Sequence, residues 1–146
     1  MKLKSENRER GFTLIELLIV MVIIGLLAGL VGPKMFGKVG KSKQKSAKAQ
    51  ISLFETTLDI YRLDVGKYPT TDIGLQGLRV KPDGVENWDG PYLPKEVPLD
   101  PWGNAYRYES PSEHGEYEIV SFGADGVDGG EGEDMDIVSW AAVGQE

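Results

Sequence analysis

The segment from Leu17 to Val31 reads LLIVMVIIGLLAGLV and carries no charged residue. Counting back to Phe12, only Thr13 and Glu16 are polar. A run of about 20 apolar residues is long enough to cross a bilayer as a helix. A buried core helix competes with that reading, but this run is apolar on every face. A cleaved secretory signal also competes. Its apolar region is shorter and ends at a small-residue site, whereas LVGPK follows here. The run therefore predicts a membrane helix. A plain anchor leaves Glu16 unexplained, because a carboxylate in a spanning helix costs about 2.5–3.5 kcal/mol on insertion scales. Such groups tend to serve a functional partner. No Lys or Arg lies between Gly11 and Lys34. The partner must carry positive charge or donate hydrogen bonds, and none is expected on the same helix unless a backbone amine is created nearby.

RGFTLIELL, residues 10–18, resembles the cleavage motif of type IV pilins and pseudopilins. The resemblance implies that a membrane prepilin peptidase cuts after Gly11 and methylates the new amine of Phe12. Glu16 then becomes the fifth residue of the mature chain. It further implies that the amine of an incoming subunit pairs with Glu16 of a subunit already in the filament. On this reading residues 1–11 are a basic leader, 12–33 a transmembrane and assembly helix, and 34–146 a periplasmic domain. Gly25 and Gly29 form G-x-x-x-G, and Ala28 with Gly32 repeats the small-residue spacing. This spacing allows close helix approach, although membrane helices are also rich in Gly generally. Pro33 removes a backbone donor and is expected to kink or break the helix. Related filaments loosen their helix between residues placed like Gly25 and Pro33.

Charge is segregated along the chain, which carries a formal −7 over 146 residues. Lys34, Lys38, Lys41, Lys43, Lys45 and Lys48 meet no acid between Pro33 and Gln50. They suit lipid phosphates or a solvated helix face. Ala47, Ile51, Phe54, Leu58, Tyr61 and Val65 are spaced 4, 3, 4, 3, 4, one stripe on a helix. DVGKYP supplies a glycine stop and then a proline, so the helix is expected to end near residue 64. Lys2, Lys4, Arg8 and Arg10 argue for an inside N-terminus, while the six lysines argue against it. The family resemblance implies a cytoplasmic leader, a single pass through the inner membrane and a periplasmic domain.

KYPTTDIGLQGL, WDGPYLPKEVPLDPWGNAYRYESP and SFGADGVDGGEGEDMDI resemble successive segments of the major pseudopilins of type II secretion. NAYRYES and EYEIVSFG read as two short strands joined by PSEHG, and DIVSW as a third. Six of the eight prolines fall at positions 69, 82, 91, 94, 98 and 101, which predicts mostly loops there. His114 reads as an exposed turn residue. The expected class is α+β: a long N-terminal helix packed on a small antiparallel sheet, pilin-like, with a C-terminal cation loop. With no cysteine, neither a disulfide nor a thiolate metal site is available.

Asp125, Asp128, Glu131, Glu133, Asp134 and Asp136 crowd twelve residues, interleaved with glycines. Hard oxygen ligands on a tightly turning backbone suit Ca²⁺. A solvated acidic loop has the same composition, and the EF-hand spacing is absent. The resemblance implies one structural Ca²⁺ held by Asp125 and Asp136, by the carbonyls of Phe122 and Val127, and more loosely by Asp134. Asp128 matches no ligand of that family. The function so implied is the major subunit of a type II secretion pseudopilus, a helical homo-oligomer that drives export of folded proteins. Its partners would be the prepilin peptidase, minor pseudopilins, the inner-membrane secretion platform and lipid, with no nucleic acid. A type IV or competence pilin is the alternative, and an anchored calcium-binding module that never polymerises is a further one. One His, no Cys and no nucleophile–base pair argue against an enzyme.

Overall fold

The computed structural model describes residues 11–141. The leader positions Lys2, Lys4, Arg8 and Arg10 lie outside the described residues, as do the side chains of residues 32–37, Pro33 among them. The backbone forms one long helix, α1 (Leu14–Val65), and three strands, β1 (Arg107–Glu109), β2 (Glu118–Ser121) and β3 (Ile137–Val138). Single 3-10 turns stand at Leu75–Leu78 and Gly132–Asp134. The chain divides into two compact units, one ending at Lys38 and one beginning at Val39.

In the first unit, Leu14–Val31 is helical and wholly unburied. At 1.5 Å per residue these 18 residues reach about 27 Å, close to the hydrocarbon thickness of about 30 Å. The helix continues through Pro33, so of the two expected outcomes, a kink or a break, the break does not occur. Proline removes one bond from a ladder that persists on either side.

In the second unit the predicted stripe is the core. Ala47, Ile51, Phe54, Leu58 and Tyr61 are no more than 1% exposed, and Val65 packs against them. Spacing of 3 and 4 places them on one face, which buries against Leu78, Leu93, Tyr106, Tyr108, Ile119 and Ile137. Phe54 meets Tyr106 edge-on at 5.2 Å. Burial pushes the Tyr108 phenol up to about 12, and its hydroxyl donates to the Pro69 carbonyl at 2.8 Å. The helix stops where expected. Gly66 takes a φ of 89° and its N–H donates to the Arg62 carbonyl at 2.7 Å, a left-handed cap that glycine adopts without a Cβ clash.

The sheet is antiparallel in the order β1-β2-β3. Tyr108 pairs with Ile119 and Ser121 with Ile137. The strands lie within the predicted segments but are only two to four residues long. PSEHG makes the turn, with the Ser112 N–H donating to the Gly115 carbonyl at 3.1 Å. The proline-rich stretch is mostly loop, as its composition implies, with one 3-10 turn inside it.

Positions 40, 44 and 48 lie on one face of α1 and hold the C-terminal segment. A Cβ at Gly40 would come within 2.5 Å of Glu133 Cγ. Gln44 Nε2 donates to the Gly132 carbonyl. Lys48 Nζ donates to the carbonyls of Val138, Ser139 and Ala141 at 2.7, 3.3 and 2.7 Å. Thus Lys48, one of the six junction lysines, serves the end of the sheet. Replacing it leaves half-buried carbonyls without their donor, and hydrogen bonds to charged groups contribute about 1.5–3 kcal/mol each. Lys48→Met is expected to lower the thermal unfolding midpoint of the full chain in detergent. Lys41→Met, at an exposed position, is expected to change stability by less than about 0.5 kcal/mol.

Candidate functional site

At the head of α1, Thr13 and Glu16 bind one another. Glu16 Oε2 accepts from the Thr13 N–H at 2.8 Å and from the Thr13 hydroxyl at 2.9 Å. The Glu16 N–H donates back to Thr13 Oγ1 at 3.3 Å. This is a capping box, in which Ser or Thr at the helix entry and Glu three residues on satisfy each other's backbone donors. It corrects the expectation that Glu16 lacks a partner on its own helix: no cation is there, but two donors are. The signal T-x-x-E stood in the sequence. The N-terminal end of the helix dipole adds further support for a carboxylate at this position. Phe12 precedes the helix and is 84% exposed, and Gly11 is exposed beside it. A Cβ added at Gly25 or Gly29 meets nothing within 4 Å, so the small-residue face is open.

The acidic loop is folded by glycines in the left-handed region. Gly123 has a φ of 60°, and a Cβ there would lie 2.7 Å from the Asp134 carbonyl. At Gly130, with a φ of 95°, the same carbonyl would again lie 2.7 Å away. Both approaches exclude any side chain, and they bring the two ends of the loop together. Within it, Asp125 Oδ1 accepts from the Val127 N–H at 3.1 Å. The Phe122 carbonyl accepts from the Gly126 N–H at 3.1 Å. Asp136 Oδ2 accepts from the Gly129 N–H at 2.9 Å, while its Oδ1 is buried without a partner. Asp134 lends its backbone to the closure rather than a bonded carboxylate. Among the described residues no three His, Cys, Asp or Glu side chains converge as a metal cluster.

Burial raises the Asp136 pKa above the ordinary carboxylate value; the Gly129 N–H opposes this, and neighbouring Asp128 and Asp125 reinforce it. Asp128, which matches no family ligand, therefore bears on Asp136 directly. The two also line a cleft of about 390 Å³ shared with Arg107, Glu118 and Trp140. His114 opens onto the same cleft. It is exposed, as its turn implies, but its ring stacks on Trp140 at 3.8 Å and its Nδ1 lies 2.9 Å from Glu118 Oε2.

A raised folded pKa gives stability that is fully present below the unfolded value, near 3.8, and lost as pH rises through the folded one. At pH 7 without divalent cation, ionised Asp136 therefore weakens the fold. Asp136→Asn is expected to raise the thermal midpoint in chelator at pH 7. It should also remove part of the gain that the unmutated chain shows on acidification. A midpoint lowered by Asp136→Asn in chelator would contradict the burial argument.

Comparison with known proteins accounts for both ends of the chain. Residues 7–32 match the family model described as prokaryotic N-terminal methylation motif, and residues 34–140 match type II secretion system (T2SS), protein G. The type II secretion system core protein G of Vibrio cholerae is 44% identical over 141 residues, covering 94% of this chain and 96% of that protein. Its counterpart in Pseudomonas aeruginosa is 42% identical, covering 93% and 98%. The crystal structure of the major pseudopilin from the type 2 secretion system of enterohaemorrhagic Escherichia coli matches with a TM-score of 0.61 and 35% identity. That match covers 74% of this chain and 95% of the other. The resemblance read from the N-terminal motif and the globular segments is borne out, and the chain belongs to the type II secretion system protein G family, headed by a prokaryotic N-terminal methylation motif.

Proposed function

We propose that this chain is the major structural subunit of a type II secretion pseudopilus. The observation that carries this reading is that a methylation-motif match containing an unburied apolar helix runs straight into a protein G domain. That helix anchors the chain in the inner membrane in a single pass, with the domain on the periplasmic side. A prepilin peptidase removes the leader after Gly11 and methylates Phe12. Copies then pass from the membrane, with lipid, the secretion platform and minor pseudopilins as partners, into a periplasmic filament that drives folded proteins outward. The family is one of structural subunits rather than enzymes.

The capping box supports a specific assembly role for Glu16. Within one chain the carboxylate is held by Thr13, so insertion does not leave it bare. Cleavage creates an amine at Phe12, and Glu16 of a subunit already in place receives the amine of the next. Removing one half of a desolvated pair leaves a buried charge, a loss of about 3–5 kcal/mol.

The acidic loop fits a hard cation. Asp136 brings a buried oxygen with no hydrogen-bond partner, close to two further carboxylates. Asp125 and Asp136, with the carbonyls of Phe122 and Val127, would hold one Ca²⁺, and Asp134 is a further donor on the same loop. A bound cation supplies positive charge where carboxylates now repel one another. Oxygen donors in a flexible loop suit Ca²⁺ better than Mg²⁺, which demands strict octahedral geometry and keeps its water.

Mass spectrometry of membrane-purified chain is expected to find an N-methylated Phe12 terminus; an intact Met1 in cells holding the peptidase would remove the reading. Glu16→Ala is expected to insert and to be cleaved, yet to yield filaments at a small fraction of the unmutated level by shearing and microscopy. For the loop, Ca²⁺ at a hundredfold excess over Kd is expected to stabilise the full chain by about 2.7 kcal/mol relative to chelator. Asp125→Ala and Asp136→Ala should each abolish most of that gain. A midpoint indifferent to Ca²⁺ would leave the loop as a solvated acidic turn.

A further inference from the structure

One buried acid outside the loop is used by none of the roles above. Asp100, in the run D-P-W-G-N, is 4% exposed. Its Oδ1 accepts from the N–H groups of Trp102 and Asn104 at 3.0 and 2.8 Å. Its Oδ2 accepts from the Ser121 hydroxyl at 2.6 Å. Its own N–H donates to the Asn104 carbonyl at 2.8 Å, and the Gly103 N–H returns to the Asp100 carbonyl at 2.9 Å. The five residues thus close on the carboxylate, which also grips the last residue of β2. Ser121 is fully buried, so this grip is shielded from water. A buried carboxylate is tolerated when hydrogen bonds replace its lost hydration, and here three donors do so.

The closure has a product. It presents Asn104, whose Nδ2 donates to the Gly123 carbonyl at 3.1 Å. The same amide lies under Gly126, where a Cβ would sit 3.5 Å from Nδ2. Gly123 and Gly126 flank Asp125 and have φ of 60° and 70°. Asp125 therefore stands on a short arch, with one foot hydrogen-bonded to Asn104 and the other resting on it.

We infer that Asp100 and Asn104 are positioning residues for the acidic loop, fixing the backbone on both sides of Asp125 before any cation arrives. The inference rests on the Ca²⁺ reading of that loop. Neither residue would touch the ion. They lower the ordering cost of binding, which is how preorganisation raises affinity. A purely architectural role, tying the D-P-W-G-N turn to β2, would be felt in stability and not in affinity.

The test uses the full chain in detergent micelles, with Ca²⁺ titrated by calorimetry. Unfolding and amide exchange are measured in chelator. Asn104→Ala is expected to weaken the Ca²⁺ Kd at least about tenfold, in the range that outer-shell partners of metal ligands command. In chelator the midpoint should fall by about 4–8 °C, the size of one lost hydrogen bond to a buried carbonyl in a domain of about 100 residues. Exchange at residues 123–126 should quicken. Asp100→Asn keeps an acceptor for the two turn amides and should hold Kd within about threefold of the unmutated chain, because the preorganised turn survives. Asp100→Ala should reproduce the loss, and if it does not fold, the other two variants still decide. An unmutated chain that gives no Ca²⁺ response overturns the cation reading, and this inference with it. A normal response that Asn104→Ala leaves unchanged overturns the inference alone.

Discussion

A helix surrounded by lipid offers its one carboxylate no water, so Glu16 must be satisfied by protein. How it is satisfied decides what the chain can do. Thr13 supplies an N–H and a hydroxyl within 2.9 Å, enough to let the segment rest in a membrane as a single copy. Neither donor carries a charge. In the proposed assembly an amine arriving from another chain would bring one, and a charge-assisted bond is roughly twice as strong as a neutral one. The box would then hold Glu16 in a state that is adequate alone and better in company, as the proposed polymerisation from the bilayer requires.

The second unit shows a related economy at its acidic end. Five glycines between residues 123 and 132 take positive φ, and this lets the loop fold back until the Asp134 backbone touches both Gly123 and Gly130. The fold places carboxylates near one another and leaves Asp136 with an oxygen that nothing among the described residues satisfies. Around this tension the rest is firm. Lys48 gathers three carbonyls at and beyond the end of β3, and Asp100 ties the D-P-W-G-N turn to β2. Among the described residues Asp136 Oδ1 and Trp102 Nε1 are buried without a hydrogen-bond partner, and of the two only the carboxylate oxygen could serve the proposed cation.

What the sequence revealed followed from periodicity and composition. The stripe from Ala47 to Tyr61 was legible because helical spacing alone places those side chains on one face. The apolar run, the glycine stop at Gly66 and the three strand segments were legible for similar local reasons. Three features were less legible. The Thr13–Glu16 box joins a carboxylate to two uncharged donors, which charge patterning does not mark. Lys48 reaches carbonyls about ninety residues away, which no local pattern encodes. Asp128 matches no ligand of the family, yet in a loop of left-handed glycines it lies near enough to Asp136 to raise that group's pKa. Side-chain direction in a glycine-rich loop depends on dihedral angles that residue type leaves open.

The proposed transfer of Glu16 from Thr13 to a neighbour's amine is tested most directly by solid-state NMR on filaments of mixed label. One pool of chains carries ¹³C in Glu and ¹⁵N in Thr, and the other ¹⁵N in Phe, so a contact between the Glu16 carboxyl and the Phe12 amine can arise only between chains. A cross-peak placing the two within about 4 Å, the reach of an ion pair, is the expected result. Filaments in which Glu16 correlates with its own Thr13 amide and with no amine from the other pool would contradict it.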